Sequence, residues 1–134
     1  EFKNDKIVLE KWFLIKSSYN NLYFDGINSI KDVLKNKNFE YKNPNFVRAV
    51  LGGFQNNNIE LFHAKDNSGY KFIADQIILI DKINPQTAAR IITPMTNITK
   101  FNNNTKNRIK KYLNLILKSN PSNDIFEVIS KSLN

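Results

Sequence analysis

The chain has 134 residues, 20 Lys+Arg against 12 Asp+Glu, a single histidine and no cysteine. That length suits one domain with a packed core, and 41% apolar residues with 12% aromatics rule against wholesale disorder. Without cysteine there are no disulfides, thiol nucleophiles or thiolate metal sites, and His63 alone does not furnish a histidine-rich zinc shell.

Apolar residues recur at helical spacing through most of the chain, and period-two alternation is rare. A first helix is expected from Asp5 to about Ser18, with Val8, Trp12 and Ile15 on one face and Phe2, Leu9 and Phe13 beside it. Trp12 and the phenylalanine-rich stripe are expected as core or inter-helix contacts. A polar break at Ser17 to Asn21 precedes a second helix over Asp25 to Asn36, carried by Ile27, Ile30 and Leu34. Asn43-Pro44 reads as N-cap and first helical residue, because proline loses nothing where the amide has no intrahelical acceptor. Val47, Val50, Leu51 and Phe54 form the stripe of that third helix. Gly52-Gly53 within it signals either a closely approaching neighbour or early fraying.

Ile59 to Phe62 fits a single turn. Ser68 is placed as the cap of a long helix with Phe72, Ile73, Ile77 and Ile80 inward. Asn84-Pro85 repeats the cap-plus-proline device and opens a helix towards Lys100, with a kink or break at Thr93 imposed by Pro94. Thr105 is expected to cap a helix bearing Ile109, Tyr112, Leu113 and Ile116. Asn120-Pro121 or Ser122 opens the last one, with Ile125, Phe126, Ile129 and Leu133 apolar. The reading gives about seven helices and no strand. The Asn-Pro starts at 43, 84 and 120 recur near the length of a two-helix solenoid repeat. The expected fold is therefore all-α, one helical-repeat domain over residues 1–134, with antiparallel helix pairs stacked as a HEAT/armadillo-like right-handed superhelix. In such a stack, a half-exposed apolar face on the first helices would be explained by preceding chain docking there.

A net charge of +8 raises nucleic-acid binding as a function class, yet 17 of the 20 cations are lysine. Only Arg48, Arg90 and Arg108 offer forked donors, and the densest cluster is Lys106, Arg108, Lys110 and Lys111. With 22 asparagines and 17 isoleucines, the composition matches AT-rich coding, and the lysines read as solvated charge rather than a nucleic-acid footprint. The longest apolar runs, such as Ile77 to Ile80, are far too short to span a bilayer.

Several segments resemble, in order, the C-terminal helical domain of bacterial aminopeptidase N, the zinc-dependent alanyl aminopeptidases of the gluzincin group. Lys11-Trp12-Phe13 resembles that family's opening helix. Phe62-His63-Ala64-Lys65-Asp66-Asn67-Ser68-Gly69-Tyr70 is similar to its Phe-His-x-x-Asp-Gly-Ser-Gly-Tyr, and Asn84-Pro85-Gln86-Thr87-Ala88-Ala89-Arg90 to its Asn-Pro-Gln-Val-Ala-Ala-Arg. Ile80-Asp81, Pro94-Met95 and the Ile125 to Leu133 segment continue the likeness. Asn67 departs from the usual glycine, and Asn97 to Phe101 dilutes a basic-aromatic segment of the family.

The resemblance implies a non-catalytic part of a longer peptidase. Zinc would belong to a separate domain of the parent, and this segment would hold no metal and no catalytic residue. It would arch over the active site and enclose a chamber for peptides, with the parent's other domains and the peptides as partners and no nucleic acid. The implied location is cytoplasmic, peripheral to the inner membrane at most, without a transmembrane segment. Gln86 and Arg90, four residues apart, share a helical face that Thr93 and Asn97 continue, and the resemblance places the pair at the chamber wall. His63, Asp66, Ser68, Asn43 and Asn84 read as turn and cap residues. Two readings from other classes stand beside this one: a stand-alone helical scaffold that binds another protein, and a basic nucleic-acid-binding domain.

Overall fold

A computed structural model describes residues 5–19 and 26–134, and every described element is helical. The elements are α1 (Lys6–Ser18), α2 (Ile27–Leu34), α3 (Pro44–Val47), a π-helical turn (Arg48–Gly52), α4 (Gly53–Asn57) and α5 (Ile59–Phe62). They continue with α6 (Ser68–Ile83), α7 (Pro85–Ile91), α8 (Thr93–Thr96), a 3-10 turn (Ile98–Lys100), α9 (Asn103–Lys118) and α10 (Asn123–Leu133). Phe2 and Asp25, assigned above to the first two helices, and Asn20 and Asn21 of the polar break lie outside the described residues. The chain divides into two compact units, Glu1–Gly69 and Tyr70–Asn134.

In the first unit, α1 packs on α2, α3, the π-helical turn and α4. Asp5 caps α1, its carboxylate accepting from the Ile7 and Val8 amides at 3.0 and 3.3 Å. The buried side of α1 is Phe13 and Ser17. Phe13 meets Phe39 and Phe46 edge-on, with centroids 5.5 and 5.1 Å apart, the geometry that ring quadrupoles favour. The face that carries Val8, Trp12 and Ile15 is the open one, with exposures of 37%, 38% and 52%. Spacing alone could not choose between faces, because apolar residues ring this helix.

Pro44 begins α3 behind Asn43, whose Oδ1 accepts from the Asn45 and Phe46 amides at 3.0 and 3.4 Å. Val47, Val50, Leu51 and Phe54 are all fully buried. Of the paired glycines, Gly53 is the close approach. A Cβ there would lie 2.9 Å from Leu14 Cδ1 and 3.2 Å from the Leu14 carbonyl oxygen, whereas one at Gly52 would meet only Asn56 Nδ2 at 4.0 Å. The helix does not fray; it runs on to Asn57 through one wider turn. Asn58 then ties off α1: its Nδ2 donates to the Ser17 carbonyl at 3.2 Å and also to that of Tyr19.

The second unit is built mainly on aliphatic side chains. Phe72, Ile73, Ile77 and Ile80 of α6, Ile109, Leu113 and Ile116 of α9, and Ile125 and Ile129 of α10 are all buried. The helix expected from Pro85 to Lys100 is three pieces, breaking at Ile92, one residue before the expected Thr93. Pro94 has no amide to continue the ladder, and the Thr93 hydroxyl donates back to the Ala89 carbonyl at 3.1 Å. Thr105 is not the cap of α9. Asn102 is, accepting from the Thr105 amide at 2.9 Å, so the helix starts earlier. Ser122, not Asn120, caps α10, and Asn120 takes a left-handed backbone (φ 60°) before Pro121. Phe126, assigned to the apolar stripe of α10, is 55% exposed.

Candidate functional site

Asn84 fixes the start of α7 by accepting from the Gln86 and Thr87 amides at 3.1 and 3.2 Å, with Pro85 in the first turn. One side of the segment then points inward: Thr87, Ala88, Ile91, Ile92 and Met95 are buried. The opposite side is a continuous exposed polar stripe of Gln86, Arg90, Thr93 and Asn97. Among the described residues no carboxylate lies within ion-pair distance of Arg90, so its forked donors face outward.

The far end of the stripe borders a cleft of about 530 Å³, lined by Thr93, Thr96, Asn97, Ile98, Thr99, Val128, Lys131, Ser132 and Asn134. Its floor is stitched by the Ser132 hydroxyl, which donates to the Thr96 carbonyl at 2.6 Å and holds α10 against α8. Gln86 and Arg90 lie on the same stripe but do not line this cleft. The stripe offers amide, hydroxyl and guanidinium donors, and the cleft at its far end adds Lys131 as a second cation. Such a set suits peptide carbonyls and carboxylates.

The motif around His63 builds a turn. His63 follows the last residue of α5, is half-buried, and sits beside the Phe62 ring at 4.6 Å between centroids. The Asp66 carboxylate accepts from the Ser68 amide at 2.9 Å, so Asp66 supplies the acceptor at the head of α6 and Ser68 is the first helical residue. Asn67 adopts φ 64°, the left-handed backbone for which asparagine substitutes for glycine. Gly69 is fixed by contact rather than by φ: a Cβ there would come 2.2 Å from the Phe62 carbonyl oxygen. Ile59, Glu60, His63, Ala64, Lys65 and Asp66 line a groove of about 550 Å³ on this side. Among the described residues, no three His, Cys, Asp or Glu side chains group to hold a metal ion.

Sequence reasoning missed Asp81. Its carboxylate accepts from the Ser122 amide at 2.7 Å and the Ser122 hydroxyl at 2.5 Å, joining α6 to the head of α10. The partners are 41 residues apart, a distance at which no local pattern signals a pairing. The α9 cations are also placed: Arg108 stacks over Tyr70 at 5.0 Å and Lys111 over Tyr112 at 5.5 Å. Burial pushes the Tyr70 hydroxyl above its ordinary pKa, with the Arg108 charge pulling the other way.

A family profile described as a domain of unknown function, DUF3458_C, with ARM repeats matches residues 1–134. The chain is 33% identical to aminopeptidase N of Haemophilus influenzae over 135 residues, covering 99% of this chain and 15% of that protein. It is 28% identical to aminopeptidase N of Escherichia coli over 128 residues, 95% of this chain and 14% of that protein. With aminopeptidase N of Caulobacter vibrioides the identity is 30% over 133 residues, 98% of this chain and 15% of that protein. The chain thus spans about one-seventh of the length of these relatives. Helices throughout the described residues, a repeat profile over residues 1–134 and three relatives of one name agree: the chain belongs to the DUF3458_C family of ARM-repeat domains and matches the C-terminal domain of bacterial aminopeptidase N.

Proposed function

We propose that this chain is the chamber-forming helical domain of a zinc aminopeptidase that removes residues one at a time from the amino end of peptides. The parent's zinc and its ligands then lie in another domain, and this segment shapes access to them. The observation that carries the reading is the exposed stripe of Gln86, Arg90, Thr93 and Asn97 on a chain that matches aminopeptidase N over nearly all its length.

In that role the Asn84 cap and Pro85 hold α7 in register, so that Gln86 and Arg90 project together. The Arg90 guanidinium presents paired donors to a peptide carbonyl or terminal carboxylate, and Gln86 adds one donor and one acceptor. The stripe orients the peptide and leaves bond cleavage to the catalytic domain. A cytoplasmic enzyme acting on short peptides is the setting this reading implies.

The test is the full-length gene product. It is expected to carry zinc, to hydrolyse alanyl or leucyl anilides, and to include a His-Glu-x-x-His helix upstream of residue 1. A metal-free product without this hydrolysis would refute the reading and leave a protein-binding scaffold in its place. Steeply salt-dependent oligonucleotide binding would favour the nucleic-acid reading instead.

A further inference from the structure

The first helix carries more apolar surface than its own unit covers. Six of the eleven exposed large apolar side chains among the described residues fall between positions 7 and 19: Ile7, Val8, Trp12, Leu14, Ile15 and Tyr19. Val8, Trp12, Ile15 and Tyr19 lie opposite Phe13 and Ser17, which face α2, α3 and α4, while Leu14 flanks Gly53. A helix with apolar side chains on two opposite faces belongs in an interior, with packing on both. A contiguous open apolar surface of this kind marks an interface. Beside it, a groove of about 370 Å³ opens between Ile7 and Leu14 on one wall and Asn45, Arg48 and Ala49 on the other.

In repeat arrays each unit covers the apolar face of its neighbour, so an uncovered face calls for the next repeat. The whole chain matches an ARM-repeat profile and corresponds to only 14–15% of each relative, so the relatives contain ample further chain to supply one. We infer that the outward face of α1, centred on Val8, Trp12 and Ile15, is the docking surface for the helix pair immediately upstream of residue 1 in the full-length polypeptide. This rests on the reading of the chain as part of a longer aminopeptidase. The incoming pair presents an apolar stripe to that face and acceptors to the flanking Lys11 and Lys16.

Side-chain-resolved hydroxyl-radical footprinting of the dilute full-length protein tests the inference. Corrected for intrinsic reactivity, Trp12, Ile15 and Tyr19 are expected to be protected to the level of buried Phe13, several-fold below the rates their 38%, 52% and 63% exposures would give. Amine cross-links from Lys11 or Lys16 are expected to land in the stretch just upstream of residue 1. Rates that follow those exposures would overturn the inference, as would cross-links that land only elsewhere in the polypeptide. Protection that disappears on dilution would also overturn it, assigning the face to a second copy of the protein. Hydrolysis of an alanyl anilide by the same sample reports separately on the proposed function. An inactive protein with protected α1 would retain the docking and remove the peptidase, and an active one with exposed α1 would do the reverse.

Discussion

The two compact units solve the same packing problem with different chemistry. The first relies on aromatic edges around Phe13, on a tight approach at Gly53, and on backbone that comes too close for any side chain at Gly69. The second relies on isoleucine and leucine layers, and its helix ends are joined by side-chain hydrogen bonds, Asp81 to Ser122 and Ser132 to Thr96. Backbone approach tolerates no added atom, while a hydrogen-bonded stitch fails gradually, so equivalent single changes should cost the two units different amounts.

The largest effect is expected at Gly69→Ala. The new methyl would press on the Phe62 carbonyl at 2.2 Å, and rigid backbone cannot move aside as a flexible side chain can. Urea unfolding should show a loss of about 3 kcal/mol or more. A loss below about 1 kcal/mol, the ordinary helix cost of a poorly placed residue, would mean that the turn after α5 is looser than described. In the second unit, Asp81→Ala leaves the Ser122 amide and hydroxyl without their acceptor and should cost about 2 kcal/mol. If it equalled Gly69→Ala, the contrast between the units would fail.

Gly52→Ala sharpens the comparison from the other side. The nearest atom to its added methyl would be Asn56 Nδ2 at 4.0 Å, and the backbone is already helical at φ −66°. Stability should rise by about 0.5–1 kcal/mol from helix propensity alone, and a measured decrease would mean that the wider turn needs this glycine. The smallest effect is alkaline. Because burial holds Tyr70 above its ordinary pKa of 10.0, the unfolded chain releases this proton first as pH rises. The stabilisation is complete below that pH and is lost as the pH climbs through the folded value. Tyr70→Phe should flatten the alkaline end of the stability curve, and an unchanged slope would show that Tyr70 is not its source.

Much of this architecture was legible in the sequence because it is written locally. Asn-Pro pairs fixed the starts of α3 and α7, and the apolar stripes of α3 to α4 and of α6 were readable to the residue. Asn67 could be anticipated in the left-handed region because few residues other than glycine and asparagine tolerate it. What was not legible depends on partners far along the chain. The inward face of α1 is chosen by Phe39, Phe46 and Gly53, which periodicity within one helix does not see. Phe126 and Trp12 looked like core residues by type, yet both lie on open faces. The Asp81–Ser122 pair spans 41 residues and leaves no local trace. For the candidate site, the Gln86–Arg90 spacing already put both on one face; that the face is open, and that a cleft borders its far end at Thr93 and Asn97, required the fold.

The claim on which the functional account turns is that the open stripe of α7 touches peptide. The most direct measurement is steady-state hydrolysis of several peptides by the full-length enzyme carrying Arg90→Ala, with zinc quantified in the same preparation. The account predicts kcat/KM lower by about tenfold, the loss of one charge-assisted contact, at unchanged zinc content. An unaltered kcat/KM across those peptides would contradict it.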